Sequence, residues 1–155
     1  MSDTITVRRA VFNDLATIVA FNQAMASETE DRMLPEETIK AGVEGLFYSP
    51  QYGFYMVACD QNEVVGSLLV TFEWSDWRNG IIWWIQSVYI KPQWRRRGIY
   101  RKLYKHVKTL AAAQGSVRGF RLYVEKENHT AQHTYANLGM QESDYLLYEE
   151  MLDER

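Results

Sequence analysis

The stretch IIWWIQSVYIKPQWRRRGIYR, residues 81–101, decides the fold of this chain. Its first ten residues are almost continuously apolar and end before Pro92, a pattern that is typical of a central strand covered on both faces. A basic loop containing Gly98 comes next, and apolar residues then recur at helical spacing between Ile99 and Leu110. The stretch therefore predicts a buried strand, a loop and a helix in direct succession.

The remaining elements extend outward from this stretch in a regular order. Toward the N-terminus the pattern predicts a strand over residues 4–8, a helix capped by Asn13 or Asp14, a helix from Pro35 to about Tyr48, and strands over residues 54–59 and 64–72. Toward the C-terminus it predicts a strand over residues 120–124, a helix capped by Asn128, and a last strand over residues 145–151. This order predicts the α/β class (an α+β mixed sheet), in which strands joined through helices run parallel and helices cover the faces.

Length and composition exclude several classes of protein. A chain of 155 residues with 46% hydrophobic residues fits one compact domain, which we place at residues 1–155. The net charge of −3 gives no support to generic binding of nucleic acid or of an anionic membrane. Cys59 is the single cysteine and lies in an apolar stretch, so we expect a core residue in a reducing compartment. The N-terminus has no apolar leader and the longest apolar run covers only residues 81–85, so we expect a soluble, cytoplasmic protein.

The loop around Gly98 has the features of a phosphate-binding site. The first N–H groups of the helix that follows lack partners within the helix and carry the positive end of its dipole. Glycine lets an anion approach the main chain closely, and four arginines add charged donors: Arg95, Arg96, Arg97 and Arg101. Taken alone, such a basic run is more often a solvated face or a nucleic-acid patch. The position of this basic run directly after a buried strand favours a phosphate-binding site.

Residues Arg95-Arg96-Arg97-Gly98-Ile99-Tyr100 resemble the signature of the GNAT superfamily of N-acetyltransferases, which is Gln or Arg, two residues, Gly, one residue, then Gly or Ala. Tyr100 departs from the small residue usual at its end. The resemblance extends in element order over residues 4–150 and implies the GNAT-like acyl-CoA N-acyltransferase fold, a mixed six- to seven-stranded sheet flanked by helices. It also implies acetyl-CoA as co-substrate, with its pantetheine arm on the main chain of the strand and its pyrophosphate on the loop. The cofactor-binding residues predicted here are Val88, Tyr89, Ile90, Arg95, Arg96, Arg97, Gly98, Ile99, Tyr100 and Arg101.

Residues 128–140 resemble a second part of the family pattern, in which Asn, a small residue and Tyr recur at this spacing. The resemblance implies that Asn128 is a hydrogen-bond partner of pantetheine. Ala131 and Tyr135 share one helix face, where the alanine leaves room for the cofactor beside the phenol. A phenol of pKa about 10 can protonate a departing thiolate, so Tyr135 is the predicted general acid, although outside this context such a tyrosine is more often a core residue. The two histidines in the segment have no third ligand of suitable type, and we predict no metal.

The acceptor side is less well marked in the sequence. Some polyamine and thialysine acetyltransferases, which the region of residues 74–77 resembles weakly, carry a glutamate on the central strand where Gln86 stands here. Glutamine cannot remove the proton of the attacking amine. The resembling family builds its acceptor pocket partly from the first helical region, which implies Glu28 as the predicted base. Glu30 and Glu73 are alternatives, and a solvated acidic helix end is the plainer interpretation of the region around Glu28. The predicted substrate-binding residues are Glu28, Trp74, Asp76, Trp84 and Gln86.

Together these features predict an enzyme that transfers the acetyl group of acetyl-CoA to a primary amine of a small molecule. No Gly-Xaa-Ser-Xaa-Gly or Cys-His arrangement indicates a covalent nucleophile, so direct attack by the amine is the simpler route. Polyamines, amino acids, amine-bearing antibiotics and protein amino groups are all candidate acceptors. Two other classes stay open, a non-catalytic CoA-binding or regulatory module and a nucleic-acid-binding domain that uses residues 95–108. Dimers are common in the resembling family, so a homodimer is a further expectation.

Overall fold

A computed structural model describes residues 4–152 of the chain. Its strands are β1 (Ile5–Arg9), β2 (Gly53–Asp60), β3 (Glu63–Ser75), β4 (Gly80–Ile90) and β5 (Val117–Arg121). Its helices are α1 (Leu15–Glu30), α2 (Glu36–Tyr48), α3 (Ile99–Gln114) and α4 (His129–Asn137), with single turns of 3-10 helix at Phe12–Asp14 and Pro92–Trp94. The chain divides into two compact units, Met1–Leu122 and Tyr123–Arg155, so that α4 belongs to the second unit and all other helices and strands to the first.

The strands form one mixed sheet in the order β1-β2-β3-β4-β5. Neighbours from β1 to β4 are antiparallel, and β5, which the chain reaches through α3, runs parallel to β4. Short turns reverse the chain between β2 and β3 and between β3 and β4, and the crossover through α3 makes β5 parallel to β4. The connection from β1 to β2 passes through α1 and α2, and these two strands are nevertheless antiparallel. The prediction that strands joined through helices run parallel is confirmed for β4 and β5 and is wrong for β1 and β2.

Helices α1 and α2 cover one face of the sheet. Ile18 of α1 and Val43 of α2 are fully buried and belong to one cluster with Val57 and Cys59 of β2. The side chain of Cys59 is only 4% exposed, which confirms its predicted place in the core. Because side chains alternate along a strand, the neighbouring residues of β2 face the other side of the sheet.

Helix α3 covers the opposite face. Leu103 and Val107 are fully buried, as expected from the helical spacing of their stretch. Tyr104 meets the ring of Phe120 edge-on with ring centroids 5.7 Å apart, and Phe120 in turn meets Trp83 of β4 at 6.5 Å. The contact between Tyr104 and Phe120 fixes the helix against β5, and with it the loop that precedes the helix.

The fold class predicted from the sequence is confirmed, as are α2 and α3, but the strand count differs. The sheet of the described residues has five strands, because the strand predicted over residues 145–151 is wrong and this segment is irregular. A run of β-forming residues becomes a strand only where another strand pairs with it. In addition, β5 begins at Val117 and not at residue 120. None of the helices in residues 4–152 has the length and apolar character needed to cross a bilayer.

Candidate active site

Strand β4 continues well beyond the point at which β5 stops pairing with it. The two strands pair from Ile81 to Trp84, whereas β4 runs on to Ile90. Ser87 has a φ of 51° and lies where the β3–β4 register shifts, so β4 is bulged just past its last pairing with β5. On the β5 side, the end of β4 has no partner strand within residues 4–152, so main-chain groups there are left for a ligand to pair with, apart from the Ile90 carbonyl, which accepts a hydrogen bond from Arg95.

The loop between β4 and α3 forms a concave main-chain surface. Arg96 has a φ of 64° and Gly98 a φ of 75°, and α3 begins at Ile99 directly afterwards. The first hydrogen bond of the helix runs from the Lys102 N–H to the Gly98 carbonyl at 3.1 Å. Left-handed residues within such a turn aim successive N–H groups at one point, which makes an anion-binding concavity at the positive end of the helix.

The backbone angle at position 98 favours a glycine there. The space around this position would admit a side chain. A Cβ atom added at Gly98 would meet no other heavy atom within 4 Å. A φ of 75° nevertheless costs any residue with a side chain about 1–2 kcal/mol. The open space beside Gly98 is the kind of surface on which a ligand can lie against the main chain.

The predicted phosphate-binding arginines differ in their surroundings. Arg95 is engaged within its own unit, where its Nε donates to the Ile90 carbonyl at 2.8 Å and a terminal nitrogen donates to Glu28 Oε1 at 2.7 Å. The guanidinium of Arg97 lies 4.8 Å from the centre of the Trp94 ring. The arginines of the loop that have exposed side chains and no ion pair to a carboxylate within residues 4–152 are Arg96, Arg97 and Arg101. Arg95 therefore fastens the loop, while the other three present charge beside it.

The structure accounts for the large residue at the end of the family signature. The ring of Tyr100 stacks on that of Tyr104 one turn later, with centroids 6.0 Å apart and planes 6° from parallel. Ile99 is 2% exposed and anchors the same turn. The side chain of Tyr100 thus packs along α3, and the main chain of the turn keeps the geometry described above.

Glu28, the predicted base, is tied to the end of β4. The Tyr89 hydroxyl donates to Glu28 Oε2 at 2.7 Å, and Arg95 donates to the other carboxylate oxygen. The hydrogen bond from Arg95, followed by that from Tyr89, lowers the pKa of Glu28. The carboxylate is therefore ionised at neutral pH, with a weaker affinity for protons than a solvated glutamate.

A polar strip crosses three strands on the sheet face that also carries α1 and α2. Its members are Thr71 and Glu73 of β3, Trp84 and Gln86 of β4, and Arg121 of β5. Gln86 Nε2 donates to Thr71 Oγ1 at 2.6 Å, and Trp84 Nε1 donates to Glu73 Oε1, also at 2.6 Å. Arg121 donates to both carboxylate oxygens of Glu73 at 3.0 Å. The bond from Trp84 and the charge of Arg121 lower the pKa of Glu73, so this strip holds an ionised carboxylate.

The structure brings together only some of the predicted substrate-binding residues. Trp84 and Gln86 share the polar strip, as their common parity on the strand predicts. Trp74 is 62% exposed near the end of β3, and by alternation it lies on the opposite sheet face from Glu73. Asp76 is an exposed residue of the turn beyond β3. The roles of Trp74 and Asp76 in substrate binding stay predictions.

Sequence reasoning missed two members of the strip, Thr71 and Arg121. The place of Thr71 could have been predicted from the turn at Asn79-Gly80. A hairpin that closes at this turn sets the pairing of Thr71 with Trp84. No local pattern indicates Arg121, which lies in a parallel strand 37 residues after Trp84, its neighbour in the register.

In the second unit, the predicted helix and its cap are confirmed. Asn128 Oδ1 accepts a hydrogen bond from the Ala131 N–H at 3.1 Å and caps α4, which leaves the amide N–H₂ as the part of this side chain that can donate to a ligand. Ala131 and Tyr135 are both half-buried on one side of the helix. Burial raises the pKa of Tyr135 above its ordinary value, so the phenol keeps its proton at neutral pH.

Metal ligation has no basis in the described part of the chain. Between residues 4 and 152, no group of three or more His, Cys, Asp or Glu side chains is arranged to hold a metal ion. The candidate residues of the first unit are main-chain donors, arginines and hydrogen-bonded carboxylates, and the candidate acid of the second unit is the phenol of Tyr135.

Comparisons with known proteins point to one family. The model of the acetyltransferase (GNAT) family matches residues 19–140. A solved structure described as a possible acetyltransferase from Clostridium difficile 630 is 41% identical, with a TM-score of 0.90 over 98% of this chain and 100% of that one. No curated protein matches.

Two further solved structures share the fold at lower identity. An aminoglycoside acetyltransferase from an uncultured soil metagenomic sample, in complex with trehalose, is 18% identical, with a TM-score of 0.79 over 99% of this chain and 100% of that one. A predicted acetyltransferase with acetyl-CoA from Clostridium acetobutylicum is 17% identical, with a TM-score of 0.77 over 96% of this chain and 97% of that one.

Proposed function

We propose, since this chain belongs to the acetyltransferase (GNAT) family and is an acetyl-CoA-dependent N-acetyltransferase, that its acceptor is the primary amine of a small molecule. The observation that carries the acetyl-CoA site of the proposal is the junction at which the end of β4 beyond its pairing with β5 leads through the Gly98 turn into α3. An amide-bearing arm can pair with the strand edge while a diphosphate rests on the helix N-terminus. The family match crosses the boundary between the two units, so we also propose a single GNAT domain over residues 1–155.

The proposed contacts of acetyl-CoA follow from this junction. The main chain of residues 88–90 pairs with the pantetheine arm, and N–H groups of residues 96–101 bind the pyrophosphate. The amide of Asn128 donates to pantetheine, and the small side chain of Ala131 leaves room beside Tyr135. The exposed arginines that supply charge to the outer phosphates are Arg96, Arg97 and Arg101.

The polar strip is our proposed floor of the acceptor site. Its ionised Glu73 attracts an ammonium group, and the ring of Trp84 and the amide of Gln86 add an apolar face and a hydrogen-bonding group beside it. The soil-metagenome neighbour is described as an aminoglycoside acetyltransferase, and a strip of this composition suits an acceptor with several amines and hydroxyls. Trp74 and Asp76 are proposed for the outer part of a large acceptor.

Transfer in our proposal proceeds by direct attack. The uncharged amine nitrogen forms a bond to the thioester carbonyl carbon, the carbon–sulfur bond breaks, and the sulfur leaves with the electron pair. Tyr135 gives its phenolic proton to that sulfur and regains one from solvent. Burial raises the pKa of Tyr135, so the phenol is protonated when the sulfur departs.

Glu28 is the proposed acceptor of the proton that the amine loses. Its lowered pKa keeps it ionised but makes it a weak base, so its bonds from Arg95 and Tyr89 must loosen as the proton arrives. Glu73 is the alternative and has a lowered pKa as well. The variant Glu28→Gln should lower kcat about 100-fold and flatten the acidic side of the pH profile of kcat, as loss of a general base does. If Glu73→Gln has that effect and Glu28→Gln does not, the base is Glu73.

Turnover with a panel of amines tests the proposed function. The full chain is incubated with acetyl-CoA and aminoglycosides, polyamines, amino acids or a lysine-bearing protein, and products are identified by mass spectrometry with CoA release measured in parallel. We expect acetylation of at least one small amine and a higher melting temperature with acetyl-CoA. Stabilisation by acetyl-CoA without any acetylated amine would favour a non-catalytic CoA-binding module. Acetylation of the protein alone would contradict the small-molecule acceptor.

A further inference from the structure

Arg95 contacts both the proposed acetyl-CoA site and the proposed base. Its Nε donates to the Ile90 carbonyl at 2.8 Å, and one of its terminal nitrogens donates to Glu28 Oε1 at 2.7 Å. A guanidinium is planar and rigid, so the directions of these two hydrogen bonds are fixed relative to each other. A displacement of Nε from the Ile90 carbonyl therefore also moves the nitrogen that holds Glu28.

The Ile90 carbonyl lies on the side of β4 at which we place the pantetheine arm. The N–H of Lys91, directly after β4, donates to the Val65 carbonyl of β3 at 2.9 Å. The main-chain groups of successive residues in a strand point alternately to its two sides, so those of Ile90 point away from β3. On that side, β5 pairs with β4 only up to Trp84. Arg95 thus binds a main-chain group that faces the proposed acetyl-CoA site.

The carboxylate of Glu28 is shared between Arg95 and Tyr89, and the two contacts differ in burial. The Tyr89 hydroxyl donates to Glu28 Oε2 at 2.7 Å, and the Tyr89 ring packs against Phe21 of α1 with centroids 5.1 Å apart. Tyr89 is 7% exposed, whereas the side chains of Arg95 and Glu28 are 44% and 39% exposed. Buried packing fixes the contact from Tyr89, and the contact from Arg95 is the one that a ligand can reach and replace.

Acetyl-CoA offers replacements for both contacts of Arg95. An amide N–H of a pantetheine arm that pairs along β4 needs the Ile90 carbonyl, beside which Arg95 Nε stands. A diphosphate at the Gly98 turn of the same loop gives the guanidinium an anion that it can bind with two parallel hydrogen bonds. An exposed ion pair such as that with Glu28 contributes little stability, so it resists this exchange only weakly.

We propose that Arg95 is a positioning residue that couples acetyl-CoA binding to Glu28: the pantetheine arm displaces Arg95 from the Ile90 carbonyl, and the ion pair with Glu28 breaks with it. Glu28 then keeps only the hydrogen bond from Tyr89. Because the hydrogen bond from Arg95 is the largest cause of the lowered pKa of Glu28, its loss makes the carboxylate a stronger base. This inference rests on the proposed function, in which Glu28 accepts the proton of the amine, and it makes that base effective only when acetyl-CoA is in place.

An NMR titration of the full chain gives the first test. The titratable groups of residues 4–152 that shift the pKa of Glu28 are Arg95 and Tyr89. The carboxylate carbon signal of Glu28, assigned by its loss in Glu28→Gln, is followed against pH with and without acetyl-CoA. We expect acetyl-CoA to raise the pKa of Glu28, while the pKa of Glu73 in the polar strip stays the same in the same spectra. An unchanged pKa of Glu28 in the complex would overturn the proposal.

Two arginine variants separate this coupling from phosphate binding. In Arg95→Gln the pKa of Glu28 should already be raised in the free protein and should no longer respond to acetyl-CoA. The matched control is Arg97→Gln, because Arg97 lies on the Trp94 ring and has no ion pair to a carboxylate within residues 4–152. This control should bind acetyl-CoA more weakly but keep the response of Glu28. A response that survives in Arg95→Gln would contradict the role of Arg95.

The affinity for acetyl-CoA tests the reciprocal effect without any change at Arg95. If acetyl-CoA breaks the ion pair, removal of the charge of Glu28 must favour acetyl-CoA binding to the same extent. Glu28→Gln should therefore lower the dissociation constant in calorimetry about 3-fold, the size expected for one exposed ion pair, even though it lowers kcat. Glu63→Gln, which removes an ion pair with Lys91 on the β3 side of the same strand end, should leave the dissociation constant unchanged. A Glu28→Gln variant that binds acetyl-CoA no more tightly than the wild type would refute the coupling.

These measurements and the amine panel fail independently. A pKa of Glu28 that responds to acetyl-CoA in a chain that acetylates no amine would support the coupling and overturn the proposed function. Acetylation of a small amine by a chain in which the pKa of Glu28 does not respond would overturn the coupling and leave the proposed function in place.

Discussion

The proposed cofactor side and the proposed acceptor side of this enzyme are built differently. On the cofactor side, one continuous stretch from Val88 to Arg101 supplies main-chain groups whose positions follow from the end of β4 and the turn at Gly98. On the acceptor side, the polar strip consists of side chains from residues as distant in sequence as Thr71 and Arg121. A main-chain site tolerates a changed side chain such as that of Tyr100, whereas a side-chain site depends on each residue and on strand register.

The largest expected effect concerns the sulfur end of the cofactor side. Replacing Tyr135 with Phe removes the proposed acid and should lower kcat about 100-fold, the usual contribution of a general acid. Acetyl-CoA affinity, measured by calorimetry, should change little because the pyrophosphate contacts are untouched. Tyr123→Phe, in the same unit, is the control and should retain the wild-type rate. A Tyr135→Phe enzyme with unchanged kcat would show that this tyrosine acts only in packing.

The second effect tests whether the cofactor site is formed by main chain. Gly98→Val forces a β-branched residue to a φ of 75°, which costs about 2 kcal/mol and should raise the dissociation constant of acetyl-CoA about 30-fold. Gly115→Val is the matched control, since Gly115 has a φ of 82° and open space at the other end of α3. It should lower the melting temperature without changing acetyl-CoA affinity. Equal loss of affinity in both variants would contradict a local role of the Gly98 turn.

The same contrast explains what could be predicted from the sequence. The order of elements, the helix after Gly98 and the cap of α4 are local features, so the residues that form them stand together in the sequence. The sequence predicts Asn13 or Asp14 as a helix cap, but the carboxylate of Asp14 binds Arg8 and the Val11 N–H. Arg8 lies on β1, so this partner depends on how β1 lies beside the start of the helix. The place of Arg121 in the polar strip could not be predicted for the same reason, because its partner Glu73 lies on another strand.

The third effect concerns the acceptor side alone. Glu73→Gln keeps the shape of the side chain but removes the charge of the polar strip, so the KM of the acceptor should rise about 10-fold through the loss of a charged hydrogen bond. The KM of acetyl-CoA should stay at its wild-type value. Glu63→Gln at the other end of β3, where the carboxylate pairs with Lys91, is the control and should change neither constant. An equal rise of both KM values would mean that the two sides are not separable.

The smallest effect on activity is expected at Asp14. The carboxylate of Asp14 belongs to neither the cofactor side nor the acceptor side, so its replacement should change stability and not catalysis. Burial raises its pKa, but the bonds from Arg8 and from the Val11 N–H outweigh burial and lower the pKa overall. A lowered folded-state pKa stabilises the protein above the ordinary aspartate pKa of about 3.9, and this stabilisation is lost as the pH falls through that value toward the folded-state pKa. Asp14→Asn should therefore lower the free energy of unfolding by about 2 kcal/mol at neutral pH and leave kcat unchanged. Denaturant unfolding at several pH values should show the wild-type and variant curves converging on acidification, and a constant difference between them would contradict ionisation of Asp14 as the cause.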